Sequence, residues 1–517
     1  MCRGPWYGWC VMGILMLAAQ ASGQSEDPPD VFSGEFGRCV ALAASQSAEL
    51  RLTAVQGFSW LKHSSAEPHL IALARDADPA VRREAAFALG RVGRRDSIPA
   101  LMAMLRDSDV GAAQQARASL QRLTQRPDPS QEWWQSTSAD AYEADLIERL
   151  KQPDAPSRLA ALRALRCFGT ARAEQPAQQL LSADPRPDPE QVLAIIEVLE
   201  RVGTQASLPW LCQVVEIVPD ACWALANLGG AQAEEALIKA AQRHWDYGSN
   251  PQLLINLDRL HSTRCGPLVA ALVYSFGCIS FRGQPEDLAY DPTPGQRAAA
   301  NLIIRSGRGP EVVDLVLREM EGCGVDAEIP ADLKDQIVRL REELLPGFVR
   351  NDGVTTSQPM CAMSHVIRDR RLAPRLVPLL RHPAYVARVY AAEALCRLGA
   401  VEALPEIAAL VEEGYPFPDA TTLTSGKHFG DSQAARYKGF LCMALGHLGG
   451  DGARLALERW CSDPDQFRDI RYGSVVGLRF LGSPESLPTL HEVADEDIIW
   501  RIREEAKSAI RDIERGA

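Results

Sequence analysis

In "AVRREAAFALGRVGRRDSIPAL" (residues 80–101), apolar positions recur at helical spacing, stop at a glycine, and start again. Val81, Ala85, Leu89 and Val92 mark one face of a first helix. Asp78 is placed to cap it, and Pro79 suits the first helical position, where its missing N–H is no loss. Gly93 is expected to end the helix in the left-handed C′ conformation. Pro99 opens a second helix whose apolar face is Ile98, Leu101, Met102 and Leu105. The predicted unit is a helix–turn–helix hairpin.

The same grammar recurs. A glycine, four residues, Ile or Leu, then proline appears at Gly93–Pro99, Gly203–Pro209, Gly399–Pro405 and Gly482–Pro488. Looser copies surround Gly169, Gly229, Gly307 and Gly449. A period of roughly 30–35 residues with two helices per unit signals an α-solenoid. The expected fold class is all-α, a superhelix of about a dozen antiparallel helix pairs, stretched along a curved path at 8–10 Å per layer.

The stretch "DPAVRREAAFALGRVG…SIPALMAMLRD" resembles the short HEAT repeats of the bilin-lyase-like type. The resemblance covers most of residues 45–517 and is clearest near 68–125, 145–243 and 363–517. It implies a right-handed superhelix that holds partners on a long surface. Some relatives are enzymes. Metal-binding ones similar to deoxyhypusine hydroxylase carry His-Glu pairs at the start of several repeat helices. The matching positions here read Arg83-Glu84 and Ala392-Glu393, and the chain's one His-Glu, His491-Glu492, falls in a second helix. One pair does not supply a di-iron ligand set. The bilin lyases attach a tetrapyrrole to a partner protein, in a compartment that the leader described below excludes.

The expected organisation runs from a signal peptide (1–21) and a flexible lead-in (22–35) to HEAT-like repeats at 36–125, a Trp-containing linker at 126–144, and central repeats at 145–243. Divergent repeats with insertions (244–362) follow, then C-terminal repeats (363–517) with an insertion at 412–433 and a capping helix at 498–517. The capping helix carries Ile499, Ile502, Ala506, Ile510 and Ile513 on one stripe. Five segments interrupt the tiling, at 125–140, 244–251, 275–296, 345–363 and 412–433. Solenoid insertions of this kind map to loops and often build the binding face.

Composition adds the compartment. Arg3 followed by the apolar "WCVMGILMLAA" and the small-x-small "AQA" reads as a cleaved signal peptide. The apolar run is shorter than the roughly 20 residues of a spanning helix, so an uncleaved N-terminal anchor is the weaker alternative. The mature chain is expected to be exported, periplasmic or extracellular. Losing Arg3 with the leader takes the net charge from −12 to −13. An acidic chain lacks the positive field that nucleic acid requires. Of the thirteen cysteines, Cys2 and Cys10 lie in the leader. Cys167, Cys212, Cys222, Cys396, Cys442 and Cys461 fall within apolar helical patterns and read as small buried hydrophobes. Export permits disulfides among Cys39, Cys265, Cys278, Cys323 and Cys361, in a pairing that spacing does not define.

The nine histidines show no H-E-x-x-H or cysteine–histidine zinc spacing, and the chain has no G-x-S-x-G, P-loop or G-x-G-x-x-G. No catalytic residue, metal or cofactor is assigned. Arg82, Arg83, Arg91, Arg94 and Arg95 fall off the apolar stripe of the first hairpin. They are expected on a solvated face with local pairing to Glu84 and Asp96, with a patch for an acidic partner as the alternative. The expected function is a protein-binding scaffold or adaptor. The candidate contacts lie in or just after the interrupting segments: Trp133, Trp134, Trp245, Tyr247, Tyr290, Asp291, Arg297, Tyr415, Phe417, Lys427, His428, Arg436 and Tyr437. Two alternatives remain: an exported enzyme or enzyme accessory subunit with its site at 275–297 and 412–437, and glycan or small-molecule binding by the loop aromatics.

Overall fold

The computed structural model describes residues 29–182, 186–243, 251–265, 294–322, 366–383, 385–413 and 433–514. All regular structure among them is helical, and the described residues divide into two compact units, one within Pro29–Ser262 and one within Thr263–Ala517. The leader, most of the lead-in and four of the five interrupting segments lie wholly or almost wholly outside the described residues.

The first unit is a two-row stack of helix hairpins. One row comprises α1 (Val31–Ala43) and α2 (Ala48–Leu61). The other row begins with α3 (Glu67–Leu73), and from there the rows alternate: α4 (Pro79–Val92), α5 (Ser97–Met104) and α6 (Val110–Thr124). After the short α7 (Gln131–Ser136) come α8 (Ala139–Arg149), α9 (Ala155–Phe168), α10 (Glu174–Gln179) and α11 (Pro189–Val202). The unit ends with α12 (Leu208–Val214), α13 (Cys222–Leu228), α14 (Gly230–Arg243) and α15 (Pro251–Arg259). The cap expected from sequence forms, with Asp78 accepting from Ala80 N and Val81 N, and Asp109, Asp154 and Asp188 cap α6, α9 and α11 in the same way. Val81, Ala85, Leu89 and Val92 are buried, as are Ile98, Leu101 and Met102.

The row α1, α2, α4, α6, α9, α11, α13, α15 packs neighbour on neighbour, and α15 packs back on α1. The stack therefore closes within this unit instead of running on as an open groove. The closing contact is specific. Val31 N donates to the buried Asp258 carboxylate at 2.7 Å, and the Arg259 guanidinium lies 4.6 Å from the Phe32 ring centroid. Asp30 caps α1 by accepting from Ser33 N at 2.9 Å. Helix thus begins at Val31, inside the segment expected to be a flexible lead-in, because both ends of the first turn have carboxylate partners.

Two ladders tie successive repeats. Arg51 pairs with Asp76 and Arg82 with Asp107, each 25 residues on. The same arginines also donate to carbonyls five and six residues behind them. In the second ladder a glutamate on an outer-row helix accepts from the following turn. Glu67 takes Arg94 N at 2.7 Å and Ser97 Oγ at 2.5 Å. Glu143 takes Thr170 N and Oγ1 at 2.6 and 2.8 Å, and Glu174 takes Thr204 N, Thr204 Oγ1 and Ser207 Oγ. Hydrogen bonds from Ser207 and Thr204 help hold the Glu174 carboxyl below its ordinary value although burial opposes them.

Gly93 departs from expectation. Its φ of −65° is extended, not left-handed, and a side chain there would collide with Leu89 O. Space, not conformational freedom, calls for glycine at this turn. Among the four matched turn glycines, Gly399 and Gly482 are left-handed, at φ 59° and 68°.

The second unit comprises α16 (Pro294–Ile303), α17 (Gly309–Gly322), α18 (Ala373–Leu376), α19 (Tyr385–Arg397) and α20 (Leu404–Glu412). Then follow α21 (Gln433–Leu448), α22 (Asp451–Ser462), α23 (Arg468–Leu481), α24 (Leu487–Glu496) and α25 (Trp500–Glu514). Helices α19, α21, α23 and α25 form one row, backed by α20, α22 and α24. Helices α21 and α23 touch backbone to backbone: a Cβ on Gly446 would strike Gly477 O, and one on Gly473 would strike Gly439 O. The glutamate ladder persists here, with Glu458 accepting from Ser486 Oγ at 2.7 Å. On α25, Ile502, Ala506, Ile510 and Ile513 are buried.

Candidate functional site: the arginine-lined interior of the first unit

The inner-row helices of the first unit share a terminal signature. Arg91, Arg122, Arg166, Arg201 and Arg259 lie in the last turns of α4, α6, α9, α11 and α15. A cation there is favoured by the unsatisfied carbonyls and the negative end of the helix dipole. Closure of the ring then brings these ends together. Arg94 Nη2 donates to Arg201 O at 2.8 Å, and Arg201 Nη1 donates to Val92 O at 3.0 Å. Arg166 Nη2 reaches Gly90 O at 3.4 Å and lies 3.5 Å from Glu197 through its other terminal nitrogen. Arg259 Nη2 contacts His63 Nε2 at 3.2 Å and donates to Asn227 Oδ1 at 2.9 Å.

The electrostatics follow from that crowding. Burial, and then the guanidinium groups of Arg166 and Arg91, hold Arg122 below its ordinary value, partly offset by Glu197. Burial lowers Arg201 against the pull of Glu200, with Arg94 and Arg166 adding to the depression. His63 is brought down to about 4, first by burial and then by Arg259 and Arg201. Burial raises Glu200 even though Arg201 lies beside it. The guanidinium nitrogen Arg166 Nε is buried without a hydrogen-bond partner among the described residues.

The arginines of the first hairpin correct the expectation of a solvated face with local pairing. Arg83 is exposed, but Arg82 belongs to the inter-repeat ladder. Arg94 and Arg95 reach carbonyls 107 and 73 residues away. Arg95 also donates to Asp140 and Glu143 at 2.9 and 3.0 Å. The distant partners escaped sequence reading because they depend on how far the stack curls. The arginine in successive last turns was the available signal.

Of the residues expected to bind a partner, Trp133 and Trp134 sit together on α7, with centroids 6.0 Å apart. Trp133 stands edge-on to Tyr142 at 5.5 Å with Arg126 over its ring, and Trp134 lies 6.3 Å from Phe168. Both are half-buried against their own repeat. In the second unit, Arg297 on α16 and Arg436 on α21 are half-buried. Tyr437 is a correction: it is buried, its hydroxyl donates to Leu380 O at 2.7 Å, and Arg388 covers its ring, so it is a core residue and presents no surface. Trp245, Tyr247, Tyr290, Asp291, Tyr415, Phe417, Lys427 and His428 lie outside the described residues, as do Cys278, Cys323 and Cys361.

Cys39 is a buried thiol on α1, pushed up to about 12 chiefly by burial. Cys167, Cys222, Cys396, Cys442 and Cys461 are buried free thiols, and Cys212 is half-buried. Among the described residues no group of three His, Cys, Asp or Glu side chains is arranged to hold a metal ion. No helix among them is long and apolar enough to cross a membrane.

These features define an all-α solenoid of stacked helix hairpins. The family of HEAT repeats matches residues 38–121, the span from α1 to α6. No curated protein sequence matches the chain. Among solved structures, a β-catenin chain from work on its phosphorylation-controlled interaction with cadherin aligns at 17% identity, covering 92% of this chain and 100% of that one, with a TM-score of 0.25. Importin beta aligns at 14% identity over 98% of this chain and 66% of its own, with a TM-score of 0.24. Kap121p bound to Pho4p aligns at 13% identity over 98% of this chain and 49% of its own, with a TM-score of 0.27. The solenoid assignment rests on the packing of the helices and on the HEAT-repeat match over residues 38–121.

Proposed function

We propose that the protein is an exported scaffold that holds a protein partner on its repeat framework. The observation that supports this reading best is the combination of rigidity with an unspent recognition surface. Ladders of buried carboxylates lock each hairpin to the next, so the inner row presents side chains at little ordering cost. Partly exposed cations and apolar groups then remain along that row. The segments at 244–251, 275–296 and 412–433, with Trp245, Tyr247, Tyr290, Asp291, Tyr415, Phe417, Lys427 and His428, are proposed as further contacts. Trp133 and Trp134 would contribute only their exposed edges.

Export is tested by sequencing the N-terminus of the natural protein, which is expected to begin at Ser22. Partner binding is tested by crosslinking and affinity capture from the exported fraction. A reproducible protein partner supports the scaffold, and recovery of none above background overturns it.

A further inference from the structure

Several features stand outside this account. The exposed Ile498 and Trp500 before and at the start of α25 form an apolar spot with no indicated occupant. The buried thiols are shielded. The arginine cluster of the first unit has more to explain it, because part of its charge is used up by structure and part is not.

Arg94, Arg95 and Arg201 donate to backbone carbonyls and are framework. Arg122 and Arg163 are different. Arg122, in the last turn of α6, still reaches solvent although its neighbours partly desolvate it, and Arg163 on α9 makes only a loose pair with Glu190 at 3.6 Å, both side chains well solvated. Exposed pairs of that kind are worth little. Arg91 and Arg166 lie beside Arg122 in its electrostatic field, and the carboxylates near these four arginines are Glu197, Glu84 beside Arg91, and Glu190 beside Arg163. Cations outnumber the anions there, and the unpartnered Arg166 Nε adds unmet donor capacity.

Charge alone would suit any anion. The neighbouring apolar groups narrow the choice. Phe87, one turn before Arg91 on α4, remains 37% exposed, and Leu193, one turn before Glu197 on α11, remains 41% exposed. The Arg91 guanidinium lies 5.8 Å from the Phe87 ring centroid. Large apolar side chains left open beside guanidinium groups match a ligand that offers carboxylates and apolar side chains in alternation.

We propose that the inner face of the first unit binds an acidic peptide segment of a partner protein, with carboxylates on Arg122 and Arg163 and apolar side chains on Phe87 and Leu193. This rests on the scaffold reading and names the chemistry of its partner. Planar guanidinium groups pair carboxylates through two parallel hydrogen bonds, so recognition would be directional as well as electrostatic.

The test uses fluorescence anisotropy with the full protein and three probes: a labelled peptide of alternating Glu and Leu pairs, its Lys counterpart, and unlabelled inorganic phosphate as competitor. The Glu peptide is expected to bind, weakening as salt rises, and the Lys peptide is not. The double variant R122E/R163E is expected to bind the Glu peptide at least about tenfold more weakly with an unchanged melting temperature. If that variant unfolds, R122Q/R163Q provides the comparison. The Phe87→Ser change is expected to weaken the Glu–Leu peptide more than an all-Glu one. No binding, equal binding of the Lys peptide, unchanged affinity in the charge variants, or full displacement by phosphate at low millimolar level would each overturn the proposal. Capture of a natural partner by the wild-type protein in the same preparation separates this failure from failure of the scaffold itself.

Discussion

The two units are built from one repeat grammar and solve the packing problem differently. In the first, the row curls until α15 meets α1, and its interior is joined by charged and polar bonds between residues far apart in sequence. In the second, α21 and α23 approach until glycine faces glycine, and every residue from Asp469 to Leu478 is buried. The same hairpin can therefore be tuned by what stands on its inner face. Arginine keeps helices at side-chain distance and leaves polar groups to be used, whereas glycine removes that option and gives a dense contact.

Breaking the dense contact is expected to have the largest effect. Gly446→Val forces a side chain into the Gly477 backbone, which has no flexible end to move aside. A loss of about 3 kcal/mol is expected in chemical denaturation. Near-neutral behaviour would mean that α21 and α23 are not in contact.

In the first unit the corresponding blow is Glu143→Ala. It strands Thr170 N and Thr170 Oγ1 and takes one of three partners from Arg95, and a loss of roughly 2–3 kcal/mol is expected. If the loss were no larger than that of an exposed glutamate such as Glu148, the carboxylate ladder would not be a source of stability.

A pH titration sharpens the comparison further. His447 in the second unit stacks on Phe480 at 4.0 Å and is lowered to about 4, first by burial and then by Arg397. Above pH 6.5 the imidazole is neutral in both folded and unfolded chains and contributes no slope. As pH falls from 6.5 towards about 4, the unfolded chain takes up the proton first, so stability declines by up to about 1.4 kcal/mol per pH unit. Below about 4 this contribution levels off. His63 in the first unit acts with the same sign. His447→Phe is expected to flatten the slope in part; an unchanged slope would show that His447 does not titrate in this way. The smallest effect is assigned to Arg83→Ala, an exposed position, expected to stay within about 0.5 kcal/mol of wild type.

Much of the fold was legible in the sequence, and the reason is local. Asp78, Pro79 and the Val81–Val92 stripe specify a helix through contacts within a few residues, and each hairpin repeats them. Ring closure was not legible, because it depends on small rotations summed over many repeats. Arg94 and Arg95 illustrate the limit. Their partners lie far along the chain, so a local reading placed them on a solvated face. Gly93 shows a subtler failure: glycine was rightly expected, but for space rather than for a left-handed backbone. Tyr437 follows an aromatic-rich interruption closely in the sequence, yet its position on α21 buries it in the core. The carboxylate ladder had a visible trace, in Glu67, Glu143 and Glu174 each set 27–30 residues before the polar turn group it serves. It was missed because acidic residues are common in this chain.

The central claim is that the first unit closes on itself, and the distance between its ends tests this most directly. Spin labels carried on unnatural amino acids at the exposed positions Gly34 and His261 avoid the native thiols. Closure predicts α1 and α15 as neighbours, with helix axes about 10 Å apart and a short, narrow distance distribution. An open stack of the same eight inner helices would separate those ends by roughly 60 Å, and a distribution centred there would contradict the account.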